Sequence, residues 1–445
     1  MEGNNRLNKK ILLLLSVVCV LTSGLVTVPA DARVYIDINS PYLRKVPTAI
    51  PDLQDLGLDR KHPALTKELA DLMRDTIGFT GFFKLLDPDS YLGDPRKAGL
   101  TRDLIKFKDW TSIGAELLIN GGISCKDGII KTELRLFDTF GRRLIIGKRY
   151  TGRVDDRRKI IRRFCDEVIR HLIGAKGFFS TQIAFVSTTT GNKEIYLADF
   201  DGHNPRQFTN TKNITLSPAW SPDGRWLAYT AYRKERPDIY IKDIKQKQPG
   251  KVIAFKGLNT TPAWHPQKSL LSVTLSKDGN PEIYLLTGSG KIVKRLTDNW
   301  GIDTSPTWSP DGKQFAFVSN RAGTPQIYVK DIDKKRVRRL TYEGNYNTTP
   351  KWSPGGDYIA YSGLANGRFD IFVIGLNGEG PCQLTRYSGD NESPTWAPDG
   401  TAIAFSSTRE GPARIYVMNS NGADQRRIIA LPGEQTCPRW SPRLW

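Results

Sequence analysis

The chain has 445 residues, 39% of them hydrophobic and 25% charged, with a formal net charge of +19. That length accommodates two domains, and the composition is that of a folded globular chain rather than a disordered or disulfide-built one. The basic residues are scattered without a stacking or groove-reading motif, which argues against nucleic acid as the partner and leaves anionic lipid or acidic proteins.

Arg6, Lys9 and Lys10 precede an apolar run from Ile11 to about Val28 that ends in Pro29-Ala30-Asp31-Ala32, the A-x-A pattern of a cleavable export signal. Residues 1–32 are expected to be removed; an uncleaved anchor is the alternative, the run being near the lower limit for a membrane span. Cys19 does not mark a lipoprotein, because Val18 stands where a small residue is needed. Export permits disulfides for Cys125, Cys165, Cys382 and Cys437, but there is no CxxC motif or Cys/His cluster. Pairing of Cys125 with Cys165 stays open, and Cys382 and Cys437, out of phase in the repeat below, are expected as buried free thiols.

Residues 33–175 read as an α/β domain. Arg33, Val34, Tyr35, Ile36, Asp37 and Ile38 alternate as a strand does, suited to joining a sheet of their own chain or a partner's. Pro41, Pro47 and Pro51 predict a loosened chain. A helix follows from Leu65 to about Ile77, with Leu65, Leu69, Leu72 and Met73 on one side, and then a short strand over Phe83 to Leu86. Residues 88–101 read as loop and Asp103 to about Ile113 as a short helix. Ala115–Ile123, Ile129–Asp138 and Arg143–Tyr150 are three strands joined by tight turns at Lys126-Asp127-Gly128 and Thr139-Phe140-Gly141. A second helix covers Asp155–Ile173, its stripe made by Ile160, Ile161, Phe164, Val168 and Leu172.

Residues 176–445 are a repeat. Trp220, Trp264, Trp308, Trp352, Trp396 and Trp440 recur every 44 residues, each flanked by Pro two residues before and two after. Tyr196, Tyr240, Tyr284, Tyr328, Phe372 and Tyr416 keep the same interval, and each unit holds four short apolar runs, the first two joined by a turn such as Ser221-Pro222-Asp223-Gly224. Four strands in such a period are a propeller blade. The first unit lacks a tryptophan at its start and the last stops at Trp445 just after one, so the C-terminal segment Pro438–Pro442 is expected to supply the first blade's missing strand. The fold class is thus an N-terminal α/β domain followed by a six-bladed β-propeller closed by its C-terminal strand.

No motif marks catalysis, a cofactor or a metal. His62, His171, His203 and His265 lack metal-ligand spacing, and Asp199-Phe-Asp201-Gly202 lacks the later ligands of a calcium loop. Neither G-x-S-x-G nor an Asp-box occurs. A binding surface remains: before each Pro-x-Trp lies a polar triplet, and ring symmetry brings these triplets to one mouth of the central channel. They are Thr215-Leu216-Ser217, Asn259-Thr260-Thr261, Asp303-Thr304-Ser305, Asn347-Thr348-Thr349, Asn391-Glu392-Ser393 and Gln435-Thr436-Cys437. The same residue types also cap turns by bonding the local backbone, so both readings stand at this point.

The export signal, the Arg33–Ile38 start, an α/β domain and a terminal array of Pro-x-Trp-Ser-Pro-Asp-Gly units together resemble the TolB family of periplasmic proteins. The second unit departs most, with His265-Pro-Gln-Lys in place of Ser-Pro-Asp-Gly, and the fourth carries Gly355-Gly356. The resemblance implies a monomeric, non-enzymatic, periplasmic part of the Tol-Pal system, membrane-associated only through partners, which supports outer-membrane integrity and invagination at division. It implies binding of the lipoprotein Pal at the channel mouth, with Asn259 to Thr261, Asp303 to Ser305, Asn347 to Thr349 and Asn391 to Ser393 as contacts. It further implies binding of TolA through Arg33 to Ile38, with other Tol components and colicins as further partners. A periplasmic propeller hydrolase or lyase acting on glycan or peptide is the rival reading, and a polyanion-binding module a third.

Overall fold

A computed structural model describes residues 44–445 apart from 95–98, 234–235, 247–249, 335 and 378. The expected signal peptide and the Arg33–Ile38 segment lie outside the described residues. Among the described residues no helix is long and apolar enough to cross a membrane.

The N-terminal region contains β1 (Val46–Ala49), β2 (Gln54–Asp55), α1 (Leu65–Gly78), β3 (Phe83–Leu85), α2 (Phe107–Ser112), β4 (Leu117–Lys126), β5 (Ile129–Asp138), β6 (Arg143–Arg153) and α3 (Arg157–Ile173). Its sheet runs β3-β1-β4-β5-β6, with β2 beside β4. β1 is parallel to both neighbours and β4-β5-β6 form an antiparallel meander, the first turn of which uses Asp127 and Gly128 at positive φ. α1 and α3 pack together and bury their apolar stripes, including Leu69 and Met73 on one and Ile161, Phe164 and Val168 on the other. α3 ends at Gly174, left-handed at φ 82, whose amide bonds Arg170 O.

Two expectations need correction here. Pro41 lies outside the described residues, but around Pro47 the chain is not loosened: Val46–Ala49 is an internal strand. Pro47 lacks one donor, but its carbonyl accepts from Glu116 N at 2.9 Å, while Val46 N and Thr48 O bond Phe82 O and Leu86 N on the other side. The short helix starts at Phe107 rather than Asp103, because Ile105, Phe107 and Trp110 are drawn into a shared apolar cluster while Thr101–Leu104 form a turn.

Six four-stranded antiparallel sheets follow. Their innermost strands are Thr215–Trp220, Asn259–Trp264, Asp303–Trp308, Asn347–Trp352, Asn391–Trp396 and Gln435–Trp440. The last belongs to the first blade, where Gln435 pairs with Ser187 and Trp440 with Ile183, so the chain's end closes the ring as expected. Packing is blade on blade: one cluster joins Val186, Ile195 and Leu197 of the first blade to Trp220, Leu227 and Tyr229 of the second. Tryptophan suits this seam because its indole also bonds across it. Trp220, Trp264, Trp308 and Trp396 Nε1 donate to the carbonyls of Arg439, Ala219, Ala263 and Lys351 on the preceding blade, at 3.0, 3.2, 3.4 and 3.1 Å.

The turns after the tryptophans behave as their residues dictate. Gly224 N donates to Ser221 O at 2.9 Å, and Gly356 N to Ser353 O at 3.1 Å in the fourth unit. In the second unit His265 stands in the serine's place and holds the turn by other amides: its Nδ1 accepts from Gln267 N and Lys268 N, where Ser221 Oγ accepts from Trp226 N, and its ring packs 4.8 Å from that of Trp308. Burial and then Lys268 hold its pKa below the ordinary value, which keeps Nδ1 an acceptor.

Candidate functional site

Each innermost strand runs from its triplet at one face of the ring to its tryptophan at the other, and this polarity decides where the N-terminal region sits. Phe79 packs edge-on to Phe178 and Phe200 at 6.0 and 5.0 Å, Arg162 meets Asp199 and Asp201, and Lys45 meets Asp424. Those propeller residues precede the first blade or lie just past strands Glu194–Asp199 and Arg414–Asn419, which end at the tryptophan face. Among the described residues, none of these contacts falls on the face carrying the triplets.

Every triplet is built on a β-bulge. Register slips by one residue within each innermost strand, and the third triplet residue takes positive φ: Ser217 53°, Thr261 48°, Ser305 55°, Thr349 50°, Ser393 57° and Cys437 52°. None of the six is glycine, and a β-branched residue rarely adopts this conformation. Hydroxyls secure the bulges across blades. Thr261 Oγ1 accepts from Ser305 N at 3.3 Å, and Ser362 Oγ, 2.8 Å from Thr349 Oγ1, accepts from Ser393 N at 2.9 Å.

The three positions of a triplet do different work. First residues are buried and bonded within the fold. Asn259 Nδ2 donates to Phe255 O and Gly257 O, Asn347 Nδ2 to Gln326 Oε1, and Asn391 Nδ2 to Asp370 Oδ1, while Asp303 accepts from Arg321 Nη2 at 2.6 Å. At these positions the three asparagines bond carbonyls of the preceding loop, as the local-capping alternative has it, while Asp303 holds Arg321. Second residues Thr260, Thr304, Thr348 and Glu392, with third residues Thr261, Ser305 and Thr349, keep partial solvent contact; Ser393 is buried. Burial, and then Asp390, raises the pKa of Glu392. It is the one carboxylate among these second and third positions, whereas hydrolysis by paired acids uses two.

The residues missed by the sequence reading stand immediately before the triplets. Ile214, Leu258, Ile302 and Tyr346 occupy one phase of the repeat on successive blades and are 40–46% exposed. Asp390 and Glu434 complete that ring. Trp300, Tyr342 and Tyr387 add exposed aromatics from the same loops, at 74%, 71% and 93%. An apolar arc of this kind, closed by two acids, is the composition of a protein-docking rim. Its phase was visible in the sequence; its exposure was not.

Elsewhere, a cleft of about 590 Å³ opens between blades at the tryptophan face, lined in part by Trp226, Trp264, Pro266 and Lys268. The four described cysteines are free. Cys382 is exposed and Cys437 half-buried at a bulge, which corrects the expectation that both are buried: one sits on a two-residue outer strand, the other beside the channel. Cys125 bonds Asp59 Oδ2 at 3.5 Å, and with His62 these two bring potential ligand atoms within 4.8 Å of one another.

The family model described as the TolB amino-terminal domain matches residues 34–145, and that of the TolB beta propeller domain matches residues 169–444. The Tol-Pal system protein TolB of Desulfosudis oleivorans is 49% identical over 203 residues, 46% of each chain. That of Syntrophus aciditrophicus is 41% identical over 231 residues, 51% of each. In matched sequence the chain therefore spans about half the length of these curated relatives. The crystal structure of TolB from Acinetobacter baumannii superposes with a TM-score of 0.78 at 27% identity, covering 90% of this chain and 97% of that one.

Proposed function

The chain belongs to the TolB family, and from that premise we propose that it is a non-catalytic periplasmic component of the Tol-Pal system that docks Pal at the propeller mouth. The observation that carries this reading is the rim. Four large apolar residues at one phase, Ile214, Leu258, Ile302 and Tyr346, are exposed on the face opposite the described N-terminal contacts. Aromatic anchors such as Trp300 and Tyr387 are the side chains that dominate protein–protein affinity, and the acidic arc at Asp390 and Glu434 fixes the partner's orientation. The second and third triplet residues lie just inside this rim and extend the contact into the channel.

The mature N-terminal segment, Arg33 to Ile38, is the TolA-binding arm in this reading, and 1–32 is the export signal that brings the chain to the periplasm. A relay between the two sites requires Pal to favour one placement of that arm over another, since a ligand shifts an equilibrium only by its differential affinity. Outer-membrane integrity and invagination at division follow from that linkage.

Titration of the purified chain with soluble Pal tests the reading. Ile302→Glu and Tyr346→Glu are expected to weaken binding at least about 30-fold, the scale of a hot-spot loss, while Val293→Glu, exposed on an outer strand, leaves it unchanged. Equal affinities across all three would remove the rim from the interface. Deletion of residues 33–40 is expected to abolish TolA capture and spare Pal binding.

A further inference from the structure

A second ring of side chains lines the channel deeper than the triplets, at the position between Pro and Trp in each innermost strand. Ser353 N and Ser441 N turn back into their own sheets, to Tyr358 O and Gln182 O at 2.9 and 2.8 Å. Strand alternation therefore points the preceding tryptophan amides at the channel axis. Two of those amides are met by hydroxyls of the blade before: Trp352 N donates to Thr307 Oγ1 at 3.4 Å and Trp440 N to Thr395 Oγ1 at 3.2 Å. The innermost strands contact one another around the whole ring. Side chains at this position thus run along the channel wall, and in order they are Ala219, Ala263, Thr307, Lys351, Thr395 and Arg439. The ring holds two cations, two hydroxyls and two methyls, and no acid.

Neither side chain meets a carboxylate among the described residues. Arg439 Nη1 donates to the carbonyl of Pro438 at 2.8 Å, and Lys351 Nζ has no hydrogen-bond or ion-pair partner among the described residues. Glu392, at the second position of the strand between them, forms no ion pair with either among the described residues. The charged and titratable groups that act on Lys351 are Arg439 and the Cys437 thiol; burial first, and Arg439 second, hold the lysine well below its usual pKa. Both side chains keep partial solvent contact, as groups on the wall of a narrow channel do. A lysine and an arginine at the same position of one ring, without a carboxylate partner, are unfavourable in their charged forms unless something anionic joins them.

We propose that the channel contains a binding site for a small oxyanion, a phosphate or carboxylate group held between the Lys351 ammonium and the Arg439 guanidinium. The planar guanidinium presents paired N–H donors that match two oxygens of such a group, and lysine supplies a point charge from the other side. Thr307 and Thr395 each accept from a tryptophan amide and keep their own hydroxyl proton to donate. The chemistry is shared by a free inorganic anion and by a carboxylate on an inserted partner side chain. The site itself does not depend on which protein sits at the rim.

Calorimetric titration of the full mature chain with inorganic phosphate, and separately with acetate, tests this site. Saturable binding of at least one is expected, weakened at least tenfold by Lys351→Met and by Arg439→Met and lost in the double variant. Phosphate saturation identifies a free-anion site, and saturation by acetate alone identifies a carboxylate seat. Thermal unfolding of Lys351→Met in anion-free buffer checks the fold and is expected at or above the wild-type temperature, since an amine without a partner has been removed. No saturable binding of either anion, or equal binding by wild type and variants, overturns the proposal. Ile302→Glu keeps phosphate binding while losing Pal, so the channel site and the rim fail independently.

Discussion

Arg162 and Asp199 meet across the joint between α3 and the propeller, Nη1 to Oδ2 at 3.0 Å, with the guanidinium side chain only 4% exposed. The same group reaches Asp201 Oδ2 at 3.0 Å, and Arg158 engages that oxygen at 2.7 Å. The guanidinium also lies 5.0 Å from the Phe200 ring. Asp199 to Gly202, a turn at the tryptophan face, is therefore a clasp for the N-terminal region. Gly202 is obligatory in it: φ is +81°, and a Cβ there would meet Ile428 O at 1.8 Å.

Removing one member of that buried network strands the others. Arg162→Met is expected to lower stability in urea by about 3 kcal/mol, because two carboxylates lose their common partner in a poorly hydrated joint. Arg162→Lys should recover only part of this, a point charge being unable to engage both carboxylates with paired donors. Arg158→Met, at a more exposed side chain, should cost less than about 1 kcal/mol. Equal losses for the two methionine variants would mean that burial at position 162 has no energetic consequence.

Asp166 supplies the pH dependence of the same region. Burial raises its pKa to about 7, against the opposing effects of Phe179 N and Arg443, with Asp399 and Glu167 adding to the rise. A carboxyl group raised in the folded state binds its proton more tightly there than in the unfolded chain. Its contribution is therefore present in full below the ordinary value of 3.8 and is lost as pH climbs through about 7. Asp166→Asn, which keeps an oxygen for Phe179 N, should stabilise the chain by about 2 kcal/mol at pH 8, after discounting for residual hydration, and by nothing near pH 4. Unfolding temperatures of both proteins across that range read the difference directly.

The constant spacing of the tryptophans made the ring and its closure legible, because one side chain solves the same seam six times. The strand at Val46–Ala49 was not legible: Pro47 argues against a central strand locally, and only β3 and β4 on either side make the single missing donor tolerable. The clasp was hidden for a different reason, since Asp199 and Asp201 are ordinary turn formers until α3 is placed over them. The geometry of the triplets was legible in part. Polar triplets marked the location, but the pattern could not say that Asn259 and Asn347 turn inward to hold loops while Leu258 and Tyr346, one residue earlier, face water. The cations Lys351 and Arg439 lie on alternate innermost strands, so their proximity depends on the closed ring.

Thr349 tests whether the bulges store strain. It is β-branched at φ 50°, and its hydroxyl lies 2.8 Å from Ser362 Oγ. Thr349→Ser keeps the hydroxyl and removes the methyl that makes positive φ unfavourable, so stability should rise by up to about 1 kcal/mol. Thr349→Val keeps the branch and loses the hydroxyl beside a bonded Ser362, and should cost about 1–2 kcal/mol. Chemical denaturation of the pair separates the two contributions; a serine variant less stable than wild type would show that the bulge holds no strain at this residue.

Closure by the C-terminal strand makes the sharpest demand on the fold. Trp440 Nε1 donates to Thr181 Oγ1 at 2.7 Å, where four other blades use a carbonyl of their neighbour and Trp352 uses Gly356 O of its own turn, and its ring packs 5.2 Å from Phe178. The last tryptophan therefore ties the ring to the segment that joins α3 to the first blade. Trp440→Phe retains an aromatic ring and leaves Thr181 without its donor, for an expected loss of about 1–2 kcal/mol. Trp440→Ala opens a cavity at the seam and should cost about 4 kcal/mol. Truncation after Gly433 goes further, exposing the whole edge of Gln182–Ser187 as an unpaired strand. Such an edge recruits other chains, so the truncated protein should elute as oligomers and lose cooperative unfolding. A truncated chain that stayed monomeric and unfolded in one sharp step would show that five complete blades hold the ring without the strand that closes it.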